Sequence, residues 1–349
     1  MNHQTLEVVA KFPAERPGNP TVMPDGRVIV SISAIGGPEI SVRTLAGSGD
    51  HPAYPDPIWA SRPRADGRGM SAVIGIRNTP QGIVWILDLG GPAQQPRLIG
   101  WNDRENRLHR LIVLPQNVLR PSSFVQDFVV DWRRQKIHIA DMTLNPRGES
   151  DYPAIITVDL KTGLASRVLE CHASMMPVDF PLQVDGKPLC QRMASGEVID
   201  YRYGINPIAI DPLGHWVYFG SMSGLTVYRI AADLLAESDT TVSASVEAWC
   251  QKPHCDGFDV DAAGNIYVTD IGRNAIGLAS PAGYWTLAQD DTLLAWPDGV
   301  ELDAEGRWLY ITANQLHRHP RQNAGYEAGR PPYHVLRLRV NAPMTSNQP

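Results

Sequence analysis

One short phrase recurs along this chain: an apolar stretch, a tight turn that usually carries glycine, and a strand-like run. It reads FDVDAAGNIYVTD at residues 258–270, IAIDPLGHWVYFG at 208–220 and VELDAEGRWLYIT at 300–312. Looser copies are TVMPDGRVIVS at 21–31, NTPQGIVWILD at 78–88 and FVVDWRRQKIHIAD at 128–141. A hairpin this small cannot bury its own apolar face. Six copies therefore point to a repeat architecture in which neighbours cover one another.

Within each copy the pattern is that of an antiparallel pair. Ile266 and Val268, Val217 and Phe219, and Leu309 and Ile311 alternate with neighbours of another character, a period of two. Gly26, Gly82, Gly214, Gly264 and Gly306 suit turns that need positive φ. Asp131, Asp211, Asp261 and Asp303 recur at the turn entry, where a carboxylate accepts hydrogen bonds from turn amides. Asp211 to Asp261 is 50 residues and Asp261 to Asp303 is 42, which fits a four-stranded propeller blade of roughly 40–50 residues. Asp131 to Asp211 is longer, at 80, so one blade is expected to carry an insertion over about residues 143–200, rich in proline and glycine.

The fold class that follows is all-β: a single six-bladed β-propeller with hairpin repeats near 19–31, 77–88, 126–141, 206–220, 256–270 and 298–312. Its closing blade mixes an N-terminal strand near 6–11 with a C-terminal one at 333–340. With 30 glycines and 29 prolines, the chain offers one convincing helical segment, at 230–237. The net charge of −6 without a basic run argues against nucleic acid as a partner. No stretch approaches the ~18 apolar residues of a membrane span, and the N-terminal residues lack a signal-peptide h-region, so a cytoplasmic protein away from membranes is expected. Cys171, Cys190, Cys250 and Cys255 are sparse and are expected to be reduced. The oligomeric state is left open.

Longer phrases around the hairpins carry a family resemblance. AVIGIRNTPQGIVWILDLG (72–90), FVQDFVVDWRRQKIHIAD (124–141), YGINPIAIDPLGHWVYFGSMSGLTVYRI (203–230) and WPDGVELDAEGRWLYITANQLHR (296–318) resemble the Yellow and major royal jelly protein family. Its bacterial members are described as related to dopachrome tautomerase. The resemblance covers nearly the whole chain and implies a six-bladed propeller. The family mixes ligand carriers, proposed tautomerases and proteins of unknown role, so chemistry has to come from the site.

Propeller geometry says where to look. The innermost strand of each blade lines the central channel, and its first residues sit at one mouth. Eight residues before the turn glycine stand Asn206, Asp256 and Asp298. Gln126, with Asp127 beside it, takes that place in the third copy, and Gly18, followed by Asn19, in the first. Amide and carboxylate oxygens from several blades thus converge on one axis.

Two chemistries suit such a ring. In the first, a carboxylate in a partly dry cavity has its pKa raised by burial and by like charges, so one of Asp127, Asp256 and Asp298 can shuttle a proton near neutral pH, with Asn206 and Asn314 as donors to a developing oxyanion. In the second, oxygen ligands without thiolate suit a hard cation, Ca²⁺ or Mg²⁺, on the propeller axis. Resemblance to the regucalcin and gluconolactonase propellers carries two metal ligands onto Asn206 and Asp256. Their first-blade Glu has no match, because this chain reads Pro17, Gly18, Asn19 there.

Around the ring, His254 is a candidate acid or base two residues before Asp256. Arg77, the arginine of GIR, either binds an anionic group or pairs with an Asp. The resemblance places Asn314 and His317, in TANQLHRHP, on the pocket wall. Trp85, Trp216, Trp285, Trp296 and Trp308 are expected to pack between blades, with Trp296, two residues before Asp298, placed to stack on an aromatic ligand as the alternative. The loops at 50–68, 143–152 and 171–201 are expected to set the pocket's size. The leading functional reading is an isomerase or tautomerase of a small cyclic or enolisable compound. A divalent-metal lactonase is the runner-up, and a non-catalytic small-ligand carrier the third reading.

Overall fold

The computed structural model describes residues 4–340 other than 48, 93, 144–151, 179–180 and 194. Six antiparallel sheets follow one another in sequence. Their innermost strands are Pro17–Val22, Val73–Asn78, Val125–Asp131, Ile205–Ile210, Cys255–Val260 and Pro297–Leu302, and each packs against the next around a closed ring. The chain is a six-bladed β-propeller. Its sixth blade is completed by Tyr333–Arg339 and by the N-terminal strand Leu6–Phe12 at its outer edge, so the two ends of the chain close the ring as the sequence pattern predicts.

Each blade is a curved sheet with two apolar faces and survives only with a neighbour on either side. Six apolar clusters fill the six gaps between blades. Phe128 and Leu98 belong to the gap between blades two and three, and Phe12 and Val30 to the gap where blade six meets blade one. The recurrent aspartates close the turns. Asp211 accepts from the amides of Leu213 and His215, Asp261 from those of Ala263 and Asn265, and Asp303 from that of Arg307.

Several sequence expectations need adjustment. The first blade has three strands among the described residues, ending with Val42–Thr44. The insertion begins later than about 143, because Ala154–Asp159 and Ala165–Val168 are the outer strands of the third blade. The inserted segment therefore runs from about 169 to 204, and residues 144–151 lie outside the described set. The helical segment at 230–237 begins as a strand, Thr226–Ala231. Helical turns come afterwards, at Leu234–Ala236 and Asp239–Ala244, where Ser238 caps the second by accepting from Thr241 N. Trp285 is 41% exposed on an outer strand, with no blade opposite to bury it.

The insertion folds back over one mouth of the channel as two small hairpins, Gln183–Pro188 and Cys190–Asp200. Leu182, Val184, Leu189, Tyr201 and Tyr203 join Met142, Met222 and Trp296 in a seventh apolar cluster there. Asp185, at the tip of the first hairpin, accepts from Asn274 Nδ2 at 2.8 Å and lies 3.3 Å from His317 Nε2. Tyr201 Oη donates to the carbonyl of Arg321. Two loops from opposite sides of the ring are thus latched across the same opening.

Candidate active site

A bulge builds the site. In every blade the pairing between the innermost strand and the next slips at the start, between Pro17 and Pro20, Val73 and Ile76, Ile205 and Ile208, Cys255 and Phe258, Pro297 and Val300, and beside Asp127 in the third blade. A bulge leaves a residue outside the ladder and re-aims its side chain. The residues so turned include Gln126, Asn206, Asp256 and Asp298.

The backbone groups freed by the slip do not go unpaired. Ser31 Oγ accepts from Asn19 N, Thr269 Oγ1 from the amides of Asp256 and Gly257, and Thr312 Oγ1 from Gly299 N. Glycine follows the carboxylate in two blades because the next blade's bulge abuts it. A Cβ on Gly257 would stand 2.7 Å from the carbonyl oxygen of Asp298, and one on Gly299 2.8 Å from Asn19 Cα.

Gln126, Asn206, Asp256 and Asp298 face a cavity of about 390 Å³ at the mouth beneath the insertion. Its walls are largely apolar: Ile35, Ile74, Phe124, Met142, Met222 and Leu316. Tyr201 and Tyr203 also face it, with their rings stacked at 4.7 Å. This is the size and lining expected of a small-molecule pocket, mostly apolar with a few convergent polar groups.

The polar floor is a directed network. Gln126 Nε2 donates to Asn206 Oδ1, and Asn206 Nδ2 donates to Asp256 Oδ1 at 2.6 Å. Trp296 Nε1 donates to the other oxygen, Asp256 Oδ2, at 2.7 Å. Asp298 Oδ2 accepts from Asn314 Nδ2, which also donates to the carbonyl of Pro17. The two carboxyls therefore differ in support. Burial raises the pKa of Asp256, against the bonds from Trp296 and Asn206 that favour its charged form. Burial and then the neighbouring Asp256 charge push Asp298 well above the usual carboxylate range, with only the Asn314 bond opposing.

Asp127 sits one layer deeper with Asn19 and Arg77, around a void of about 10 Å³. Arg77 Nη2 donates to Asp127 Oδ2 at 2.9 Å, the pairing alternative for this arginine. Burial raises the Asp127 pKa despite that partner.

Other expected site residues fall behind the wall. Trp296 is fully buried, its ring stacked on His317 at 5.7 Å and its N–H committed to Asp256, so no ligand ring can lie on it. His317 is absent from the cavity lining, its ring lying against Trp296, and burial depresses it to about 4. His254 is absent from the cavity lining, and burial beside Lys252 lowers it to about 4. The N–H groups of Asn206 are directed at Asp256 and Met222 Sδ, and those of Asn314 at Asp298 and the Pro17 carbonyl, so neither amide is free as an oxyanion donor. Among the loops expected to size the pocket, 50–68 contributes no lining residue; Ser33–Ile35 and Leu316–Gln322 take that place.

A divalent ion can be tested against the same donors. Asn206 and Asp256 adjoin, as the regucalcin resemblance implies, but the Asn206 carbonyl oxygen and both Asp256 oxygens face N–H donors. Among the described residues no three His, Cys, Asp or Glu side chains are grouped to hold a metal. The donor set does not fit a three-ligand oxygen site.

The channel's other mouth went unread in the sequence. Three residues past each bulge position stand Arg77, Asp259 and Glu301, with Val129 and Ala209 from the third and fourth blades, around a cavity of about 140 Å³. The register that found Asp256 and Asp298 would have found these by stepping on three residues. It would also have shown Ile74 as the second blade's contribution to the first mouth. Tyr201 and Tyr203 carried no such signal, because their position depends on the path of the insertion.

Fold and site together define a six-bladed propeller with a ligand-sized cavity at one mouth. The family model for major royal jelly proteins matches residues 73–345, and the chain belongs to that family. No curated protein matches it in sequence. Among solved structures it is similar to a gluconolactonase of Xanthomonas campestris (11% identity, TM-score 0.56, covering 97% of this chain and 90% of that one). It is also similar to a calcium-binding regucalcin of Agrobacterium tumefaciens (15%, 0.55, 96% and 93%). A third similar structure is a virginiamycin B lyase of Staphylococcus aureus (13%, 0.53, 97% and 99%). Likeness at these identities establishes the fold.

Proposed function

We propose that this protein is a small-molecule isomerase of the tautomerase type, acting at the cavity bounded by Asp256 and Asp298. The observation that carries the reading is the unequal support of two neighbouring carboxyls at the floor of an apolar pocket. A pair of titratable groups whose surroundings push their pKa values apart is the arrangement acid–base chemistry requires.

Asp256, with two N–H donors on its oxygens, is the carboxylate that takes a proton from an acidic C–H. Asp298 is the carboxylic acid that gives its proton to the substrate's carbonyl oxygen. The C–H bond breaks as the O–H bond forms, the electron pair moves through the conjugated system, and the product is the enol or the rearranged tautomer. The two carboxyls end with their proton exchanged and re-equilibrate through the pair or the solvent. No oxidant, reductant or second substrate enters the balance. Asp127, held by Arg77, keeps a further negative charge nearby, which favours retention of one proton on the pair.

The test is turnover of a panel of quinone-type and enolisable ring compounds by the wild-type protein, Asp256→Asn and Asp298→Asn, with divalent ions added or chelated. The proposal expects chelator-insensitive turnover that both substitutions abolish. Turnover that needs a divalent ion would favour the lactonase reading. Ligand-dependent stabilisation without any turnover would favour a carrier.

A further inference from the structure

Only three charged side chains line the cavity among the described residues: Asp256 and Asp298 at the floor, and Arg321 at the rim. The floor charges are engaged with Asn206, Trp296 and Asn314. Arg321 differs. Its backbone N–H and carbonyl are used, by His319 and Tyr201, but no carboxylate among the described residues pairs with its guanidinium.

These groups give the cavity a polarity along its depth. A ligand anion at the floor would meet the Asp256 carboxylate, with Asp127 one layer behind it. At the rim it would meet a free guanidinium, whose planar fork suits a carboxylate. Between the two ends lie apolar surfaces and the Tyr201–Tyr203 stack, which favour a ring. We infer that the cavity takes a small carboxylic acid with a ring-bearing apolar body, its carboxylate on Arg321 and its opposite, reacting end on Asp256 and Asp298. A volume of about 390 Å³ lies at the lower end of the roughly 300–1,000 Å³ of ligand pockets, which limits the body to about one or two rings. The reacting-end assignment rests on the proton-transfer reading; the carboxylate assignment rests on Arg321 alone.

The experiment compares matched acids and amides, 3-phenylpropionate with 3-phenylpropanamide and 4-phenylbutanoate with its amide, by calorimetry and thermal shift on the full chain. The acids are expected to bind about ten- to a hundredfold tighter than the amides, the worth of a hydrogen bond to a charged group. Arg321→Gln should erase that preference without moving the melting temperature of the free protein, and Arg321→Lys should restore part of it. Equal binding of acids and amides, a preference that survives Arg321→Gln, or failure of both acids to bind would overturn the inference. An acid preference lost in Arg321→Gln, with no turnover of any enolisable compound, would uphold the ligand class and sink the proton transfer. Turnover confined to neutral compounds with no acid preference would do the reverse.

Discussion

The two mouths of the propeller channel are built from the same strands three residues apart, and both bury carboxyl groups, yet they use them differently. At the insertion-covered mouth, Asp256 and Asp298 face a cavity and accept from uncharged side-chain donors. At the other, the acids also accept from backbone amides of neighbouring blades. Glu301 Oε1 accepts from Thr21 Oγ1 and Val22 N of the first blade and from Asn78 Nδ2 of the second. Asp259 Oδ2 accepts from Leu302 N of the sixth blade, and Arg77 joins the second blade to the third through Asp127. Displaced pKa values occur at both ends, with Glu301 raised to about 8 and Asp259 to about 6, chiefly by burial. A displaced pKa alone therefore does not mark the site. What separates the ends is a cavity large enough for a ligand, about 390 Å³ at the insertion-covered mouth against about 140 Å³ at the other.

That contrast can be broken by substitution. Asp256→Asn and Asp298→Asn should each lower turnover by about 10²–10⁴-fold; Asp298→Asn, which replaces a neutral acid by a neutral amide, should leave the melting temperature close to that of the wild type. Steady-state kinetics beside calorimetry would read both. Arg77→Met should do the opposite, costing about 3–5 kcal/mol in denaturant unfolding by leaving Asp127 buried without its partner, with turnover of the folded fraction within a few-fold of wild type.

The Glu301 proton should also be visible in the pH dependence of stability. The folded state holds the Glu301 proton up to about pH 8, whereas an unfolded glutamate releases it near pH ~4.3. The contribution of that proton is complete below the unfolded value and is lost as pH rises through the folded one. Melting temperature should therefore fall between about pH 5 and 8, and Glu301→Gln should flatten the fall.

Trp296→Phe removes one bond that favours charged Asp256. The Asp256 pKa should rise, the acid limb of the pH profile of kcat/KM should move to higher pH, and turnover at neutral pH should drop by about tenfold. An unmoved profile would make the tryptophan a packing residue. The smallest effect belongs to a turn: Asp261→Asn should cost about 0.5–1.5 kcal/mol and leave turnover unchanged.

Much of this organisation is legible in the sequence because it repeats. The turn glycines set a register, and counting back eight residues reaches Gln126's neighbours in the ring, Asn206, Asp256 and Asp298, whose side chains line the cavity. Side-chain direction at the next level was harder. Trp296 precedes a bulge and has a φ of +54°, which turns its ring into the core and away from the ligand. Nothing in local pattern signals that, since the conformation depends on Asn274 Oδ1 accepting from its amide and on His317 packing against the ring. Tyr201, Tyr203 and Arg321 were out of reach for a different reason. They come from an insertion and a loop with no repeat register, and they meet only because the fold latches those segments across one mouth.

The proposed proton transfer requires Asp298 to keep its proton beside an ionised Asp256. Carbon-13 NMR of protein labelled at the aspartate carboxyl carbons, titrated from pH 4 to 9, measures that without any substrate. One aspartate carboxyl should still be protonated at pH 7, its resonance disappearing in Asp298→Asn and persisting in Asp259→Asn. Full ionisation of every aspartate by pH 7 would contradict it.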